Sequence, residues 1–451
     1  MPSGHLFVRN GYALVLNTFI AGGLGLLYWV LAARNYTDAD VGRNSAAISS
    51  LMLLTGMVSV NAAGTLNRFI PRTGRNTRLV VAWIYALTSV VVGLLALALV
   101  VLLHWFGGPG FDLLREPEYK VWFMVAAIGA SVITVQDSVL TGLRSAVWVP
   151  LFNGLFATGK IILLIVLADV MPHAGVFLSW IVPMIIVIFP ANLLIFCRLL
   201  PRHMDSTADD AIDVSRAQIG GFFVADYLGS LFLMTTIFVV PLVVAARVDP
   251  HSYAYFFFAW SIATSMNLVA TNLATSMAVE GGYDESTLAV NCRSALRRAL
   301  ILLTFAAVVI GLAAPYALGL VGRGYLDAAP LLQLLAFASL PAAVVEIYLG
   351  TLRARALRLQ IVAVQFLRGA TVLALVHQFL NHGSFFVSFG DGRLTAVGVA
   401  FLLGQLITLV AVLPGLSRLL GWFGRPPEII VESAAAQQTT RSAKQVGDPV
   451  S

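Results

Sequence analysis

Apolar runs of about twenty residues, the length a helix needs to cross a bilayer core, follow one another along almost the whole chain. They fall near 11–33, 45–66, 79–103, 121–142, 147–168, 174–197, 218–245, 253–278, 296–321, 329–350, 359–380 and 394–417, separated by short polar breaks. This pattern predicts an all-α, polytopic membrane protein with twelve transmembrane helices. The first run, Gly11 to Ala33, is long enough to span and reads as a helix rather than a cleavable signal.

Composition supports the membrane reading. Of 451 residues, 59% are hydrophobic and 11% charged, and the mean hydropathy is +0.87, which excludes an ordinary soluble domain. The basic residues are nearly all arginine; only Lys120, Lys160 and Lys444 are lysines. With both termini on one side, nineteen basic residues flank the spans on that side, among them Arg68, Arg72, Arg75 and Arg78, and seven flank them on the other. The positive-inside bias makes the richer side cytoplasmic. The formal charge of +6 is therefore a topology signal, and no nucleic-acid partner is expected. Trp29, Trp105, Trp148 and Trp422 near span ends fit interfacial belts. Cys197 and Cys292 both fall on the cytoplasmic side and read as free thiols.

The longest break is Pro201 to Arg216, with Asp205, Asp209, Asp210 and Asp213, and reads as a flexible cytoplasmic linker. It divides a six-helix bundle over 1–200 from another over 217–420, and after Arg425-Pro426-Pro427 the segment 421–451 reads as a disordered cytoplasmic tail. Six spans return the chain to its starting side, so the two bundles are parallel. Internal matches support the division. Asp137 and Arg144 align with Glu346 and Arg353 at a shift of 209 residues, and Lys160 and Arg368 follow within one position of each other. Ala32-Ala33-Arg34 matches Ala245-Ala246-Arg247 at a similar shift.

Lys160 lies about a dozen residues into its span, roughly 18 Å deep in a ~30 Å core. Arg368 is comparably deep. A charge there costs about 2.5–3.5 kcal/mol on insertion scales, so it pairs or faces a watery cavity. Two readings stay open: the cations meet an anionic substrate between the bundles, or Lys160 pairs with Asp137 and Arg368 with Glu346. Asp137, Lys160, Asp226, Glu346 and Arg368 together sum to a negative charge, which does not by itself attract an anion. Arg144 and Arg353 read as helix anchors or as a cytoplasmic mouth. Asp226 aligns with Ala13 and has no counterpart, which makes it a candidate coupling acid or a hydrogen-bonded structural one. Asn17 and Gly22-Gly23-Leu24-Gly25 suit close packing or bending of the first span. The histidines lack metal-ligand spacing, and no nucleophile constellation or phosphate-binding glycine loop occurs.

The stretch from Arg9-Asn10 through Pro71 resembles the polysaccharide-biosynthesis flippases of the multidrug/oligosaccharidyl-lipid/polysaccharide exporter superfamily. The residues that carry the likeness are Val30 to Thr37, Asp40-Val41-Gly42-Arg43 and Ala63 to Pro71. The resemblance implies two six-helix bundles in a V and alternating access that flips a polyprenyl-diphosphate-linked glycan in the bacterial cytoplasmic membrane. It implies diphosphate-binding roles for Arg34, Arg68, Lys160 and Arg368, with Asp137, Asp226 and Glu346 as coupling or ion-pair acids. Membrane lipids and a glycan polymerase or export machinery are the implied partners, and no cofactor is expected. Some such flippases bind sodium through acids on spans seven and eleven. Asp226 fits the first, but span eleven offers Arg368, His377 and Asn381 instead of a carboxylate.

Two other classes remain in view. A cation-coupled drug or metabolite exporter would carry an acid- and aromatic-rich cavity, and a polytopic glycosyltransferase or ligase would need acids on a sizeable outer loop. The outer connections here are short.

Overall fold

A computed structural model describes residues 22–70, 74–206, 235–283, 288–355, 357–381 and 391–420. These residues are helical apart from short connections. In chain order the helices are α1 over 22–35, α2 (Asp38–Phe69), α3 (Thr77–Phe106), α4 (Pro117–Gly142), α5 (Trp148–Val170) and α6 (Gly175–Leu194). Then come α7 over 235–245, α8 (Pro250–Tyr283), α9 (Leu288–Val321), α10 (Ala329–Ala354), α11 (Arg358–Asn381) and α12 (Gly392–Leu420).

Local chemistry sets several boundaries. Thr37 caps α2 by accepting the Asp40 amide at 3.2 Å, and Asp38 and Asp40 place negative charge where the helix dipole favours it. Pro117 opens α4 at a position that has no partner for its missing N–H. Pro183 and Pro190 interrupt the ladder of α6, which relaxes into a π turn over Ile195–Leu199 before Leu200–Ser206 resumes the helix. The expected linker therefore begins as helix: Pro201 to Ser206 extends α6, and 207–216 lies outside the described residues, as does the tail 421–451.

Eight helical stretches are long and apolar enough to cross a bilayer: Thr77–Trp105, Pro117–Gly142, Trp148–Val170, Gly175–Asp205, Leu288–Val321, Gly324–Ala354, Leu359–Asn381 and Gly392–Leu420. Their outward faces leave Leu94, Phe189, Phe305 and Leu312 exposed, as lipid contact requires. The chain is thus a multi-pass membrane protein. Among the four remaining predicted spans, α1 and α7 are described only in part. The other two, α2 and α8, are long but carry Asn44, Ser45, Ser49, Ser50 and Thr55, or Ser261, Thr264, Ser265, Asn267 and Thr271. These are the helices that meet across the middle of the molecule. One set packs α2, α3, α4, α5 and α6 together, the other packs α8 through α12, and α2 lies along α8 between them.

One end of the molecule carries the turns after α2, α4, α6, α8 and α10, where the arginines cluster, and is called the basic end below. At the opposite end the two sets press together. Gly42 is buried against the Pro250 backbone, and Gly108 and Gly110 lie against the carbonyls of Ala246 and Ala245. The Tyr255 hydroxyl donates to Asp38 Oδ2 at 2.5 Å, Arg34 donates to the Leu320 carbonyl at 3.1 Å, and the Ser49 and Tyr253 hydroxyls are 2.8 Å apart. Asp249 precedes α8 here. Burial pushes its carboxyl pKa up, but hydrogen bonds from the Ser252 amide and hydroxyl outweigh that and hold it below the ordinary value. Among the described residues, the hydrogen bonds between the two sets lie toward this end.

Candidate functional site

Between the two sets lies a cavity of about 370 Å³ with walls from α1, α2, α5, α6, α7 and α8. Trp29, Trp180, Phe257 and Trp260 give it aromatic faces, and Ser49, Ser261, Thr264 and Ser265 give it hydroxyls. Among the described residues, Lys160 is the one charged residue lining it. The residue is 7% exposed, and its ammonium sits over three rings, 4.3 Å from the centroid of Trp180, 4.7 Å from Tyr28 and 5.5 Å from Phe156. The cage is fixed from behind. The Tyr28 hydroxyl donates to the Val176 carbonyl at 2.8 Å and lies 2.8 Å from the Ser179 hydroxyl, so its ring cannot swing away without breaking buried bonds.

Ring faces attract a cation but accept no conventional hydrogen bond. Among the described residues no carboxylate lies within ion-pair distance of Lys160. The pairing with Asp137 that the aligned motifs allow is not formed. Asp137 instead accepts a hydrogen bond from Asn153 Nδ2 at 2.9 Å inside the first helix set.

The second motif behaves differently. Glu346 bridges two arginines, taking Arg353 Nη2 on Oε1 at 3.0 Å and Arg368 Nη1 on Oε2 at 3.4 Å. Arg368 Nε also donates to Gln405 Oε1 at 3.0 Å. Arg368 and Glu346 line a smaller space of about 50 Å³ that shares Ile237, Trp260 and Thr264 with the first, so it continues the same passage. Lys160 and Arg368 thus both border the space between the sets, one paired and one, among the described residues, without a counter-charge.

The remaining sequence candidates lie elsewhere. Arg34 is exposed at the opposite end, and its contact is the α9 carbonyl already described. Arg144 is exposed in the turn after α4, in the left-handed region with φ 55°. Arg353 reaches back to Glu346 from the basic end of α10. Arg68 belongs to α2, but its side chain lies outside the described residues, and so does Asp226. Sequence reasoning missed the aromatic cage. It placed Trp29 in an interfacial belt; Trp29 is instead buried, 4.7 Å from Phe257, in the cavity wall. Trp105 and Trp148 are exposed as a belt requires, and Trp422 lies outside the described residues. The signal available was Trp180 and Trp260, set well inside their helices rather than at the ends.

No protein-family model matches the chain, and no curated protein matches it. Solved structures do. An inward-facing multidrug resistance MATE family transporter of the MOP superfamily superposes with a TM-score of 0.70 at 15% identity, covering 89% of this chain and 95% of the other. Its outward-facing counterpart gives 0.62 at 15% identity over 92% and 96%. The lipid II flippase MurJ in an inward closed conformation gives 0.66 at 15% identity over 90% and 89%. These neighbours are transporters and flippases rather than enzymes, and they extend over nearly the whole chain. The protein therefore has the fold of MOP-superfamily transporters.

Proposed function

We propose that this protein is a membrane transporter that moves an anionic amphiphile, a polyprenyl-diphosphate-linked glycan or related precursor, between leaflets by alternating access. The observation that carries this reading is Lys160: a desolvated cation, caged by rings and, among the described residues, without a counter-charge, facing a cavity between two helix sets. Such a group is costly unless an anion completes it. Lys160, Arg368 and Glu346 leave the lined passage net positive among the described residues, and Asp137, one of the acids in the sequence sum, does not line it. The aromatic faces and hydroxyls suit sugar rings beside the anion, while the lipid stays in the bilayer. No hydrolysis is involved.

In this proposal the chain makes twelve spans in two parallel six-helix bundles with both termini cytoplasmic in a bacterial cytoplasmic membrane. The closed opposite end then faces outward and the basic end is the cytoplasmic entrance, with Arg144 and Arg353 at its mouth. The higher TM-score against the inward-facing MATE structure, 0.70 against 0.62 for the outward-facing one, supports that orientation. Arg68 supplements the anion site during entry, and Arg34 belongs to the outer closure.

The test is reconstitution in proteoliposomes with a labelled polyprenyl-diphosphate oligosaccharide, following headgroup exposure across leaflets. Lys160→Gln and Arg368→Gln should abolish exposure while insertion and expression hold. Full activity in both variants, or transport of organic cations with none of the lipid, would overturn the proposal in favour of a drug exporter.

A further inference from the structure

The first helix set buries a second ionisable group that the passage does not use. Asp137 sits five residues before the end of α4 at Gly142, part-buried near the basic end. Its Oδ2 takes the Asn153 amide of α5 at 2.9 Å, and no basic side chain pairs with it among the described residues. Tyr85 of the neighbouring α3 has a buried hydroxyl with no hydrogen-bond partner among the described residues. A lone carboxylate inside a membrane span marks an ion pathway or proton relay by default. A hard metal cation needs about six oxygen ligands, whereas this site offers one carboxylate and an N–H donor pointing at it. Those contacts suit a proton.

We propose that Asp137 is a proton-binding site and that its occupancy is linked to anion binding at Lys160. The link runs through α5. Asn153 and Lys160 are two turns apart on one face of that helix, about 10 Å along its axis. A negative Asp137 opposes an anion arriving at Lys160, and a protonated one does not. Proton and anion therefore favour each other, by the same factor in both directions. At about 10 Å and an effective dielectric near 20, that factor is on the order of tenfold. The proton comes from water at the basic end and adds to a carboxylate oxygen; no other bond changes.

Toward the basic end, other charged or titratable groups on the elements packed around α4 include Tyr85 and Arg78 of α3, Lys160 of α5, and Arg198, Arg202 and Asp205 at the end of α6; toward the opposite end they include Asp40 and Arg43 of α2 and Asp112 and Arg115 just before α4. His203 at the foot of α6 bonds the Ile70 carbonyl at 3.1 Å. Arg144 follows α4 itself, and Arg68 lies on α2 with its side chain outside the described residues. His203 is the competing source of any pH response.

The experiment uses the full chain in lipid nanodiscs. Infrared difference spectra across about pH 5 to 8 should contain a protonated-carboxyl band that titrates and is missing in Asp137→Asn. If that variant leaves every carboxyl band unchanged, the proton site is refuted; should it not fold, Asp137→Glu must shift the band instead. Sulfate, which does not titrate in this range, is the anion probe, read by quenching of the cavity tryptophans. Its affinity should be about tenfold higher at the acid end in the native chain. Asp137→Asn should remove that dependence while retaining binding, and Lys160→Gln should lose binding. A dependence that survives Asp137→Asn and vanishes in His203→Gln overturns the linkage. Absence of sulfate quenching at any pH counts against the anion reading of Lys160 and the linkage together, while the infrared band judges the proton site separately.

Discussion

Gly42 offers a direct test of whether the contact at the opposite end is a closure that must open. A Cβ at this position would overlap the Pro250 carbonyl oxygen, with the carbonyl carbon at 2.6 Å and Cα at 3.0 Å. All three atoms are backbone and belong to the other helix set, so no rotamer change relieves the overlap. Only parting of the sets does. Overpacking of this kind costs about 1–3 kcal/mol. The gain of roughly 1 kcal/mol that alanine brings to a helix interior is common to both conformations and cancels from their ratio. Gly42→Ala should therefore shift the equilibrium away from the closed opposite end by about 5- to 150-fold. Gly142→Ala is the matched control. Its Cβ would meet Ile70 Cδ1 at 2.8 Å, the free end of a flexible side chain in the same set, so it should leave the equilibrium alone.

The assay is a distance distribution between spin labels on Asn35→Cys and Arg323→Cys, both exposed at that end and on different sets. The native thiols Cys197 and Cys292 are replaced by serine and alanine beforehand. The Gly42→Ala distribution should move to longer distances, and substrate should no longer restore the short one. A short distribution identical to that of the native chain, in a protein that melts at the same temperature, would refute the reasoning. If Gly42→Ala does not insert, Gly108→Ala poses the same clash from a connecting segment, against the Ala246 carbonyl carbon at 2.5 Å.

Glu346→Gln should destabilise the second helix set by about 3 kcal/mol, the lower end for breaking a buried pair, because Gln405 still holds Arg368 and Arg353 is part-exposed. Thermal melting in nanodiscs reads this, and Glu346→Leu with Arg368→Met should recover the stability without recovering transport. Asn44→Ala should cost about 1–3 kcal/mol by the same measurement. The fully buried amide donates to the Asp40 and His173 carbonyls at 2.7 and 2.8 Å and accepts from the Phe177 amide at 2.8 Å, and alanine replaces none of these.

Helix positions were legible from the apolar runs because a lipid-facing surface leaves the sequence little choice. The deep charges were legible too, since Lys160 and Arg368 each interrupt an apolar run. Their partners were not, and the reason lies in where each helix ends. Glu346 lies eight residues before the end of α10 and Arg368 ten after the start of α11, so they sit at nearly one level and pair at 3.4 Å. Asp137 lies five residues before the end of α4 and Lys160 twelve after the start of α5, which separates them by about 10 Å along the helix axes. The cage is harder still to read. Tyr28, Phe156 and Trp180 come from three different helices, and in a chain with 10% aromatics nothing local marks them as one group.

The two helices that fall short of a membrane-span pattern, α2 and α8, carry a different constraint from the rest. If the sets part and close in each cycle, the surfaces that meet must tolerate both water and protein. The hydroxyls along them do so by donating to their own helix. Ser49 donates to the Ser45 carbonyl at 2.8 Å, Ser50 to Ala46 at 2.9 Å and Thr55 to Leu51 at 2.8 Å. On α8, Ser261 donates to Phe257 at 2.8 Å, Thr264 to Trp260 at 2.9 Å and Ser265 to Ser261 at 2.9 Å. A proton committed one turn back leaves no buried donor stranded when the facing helix arrives, and the oxygen can still accept from water when it departs. Leucine in these positions would favour the packed state alone, because each exposure of its side chain would cost about 1.5–3 kcal/mol per cycle. The serines and threonines that lower the hydropathy of α2 and α8 thus suit an interface that has to be stable in two arrangements, as the proposed cycle requires.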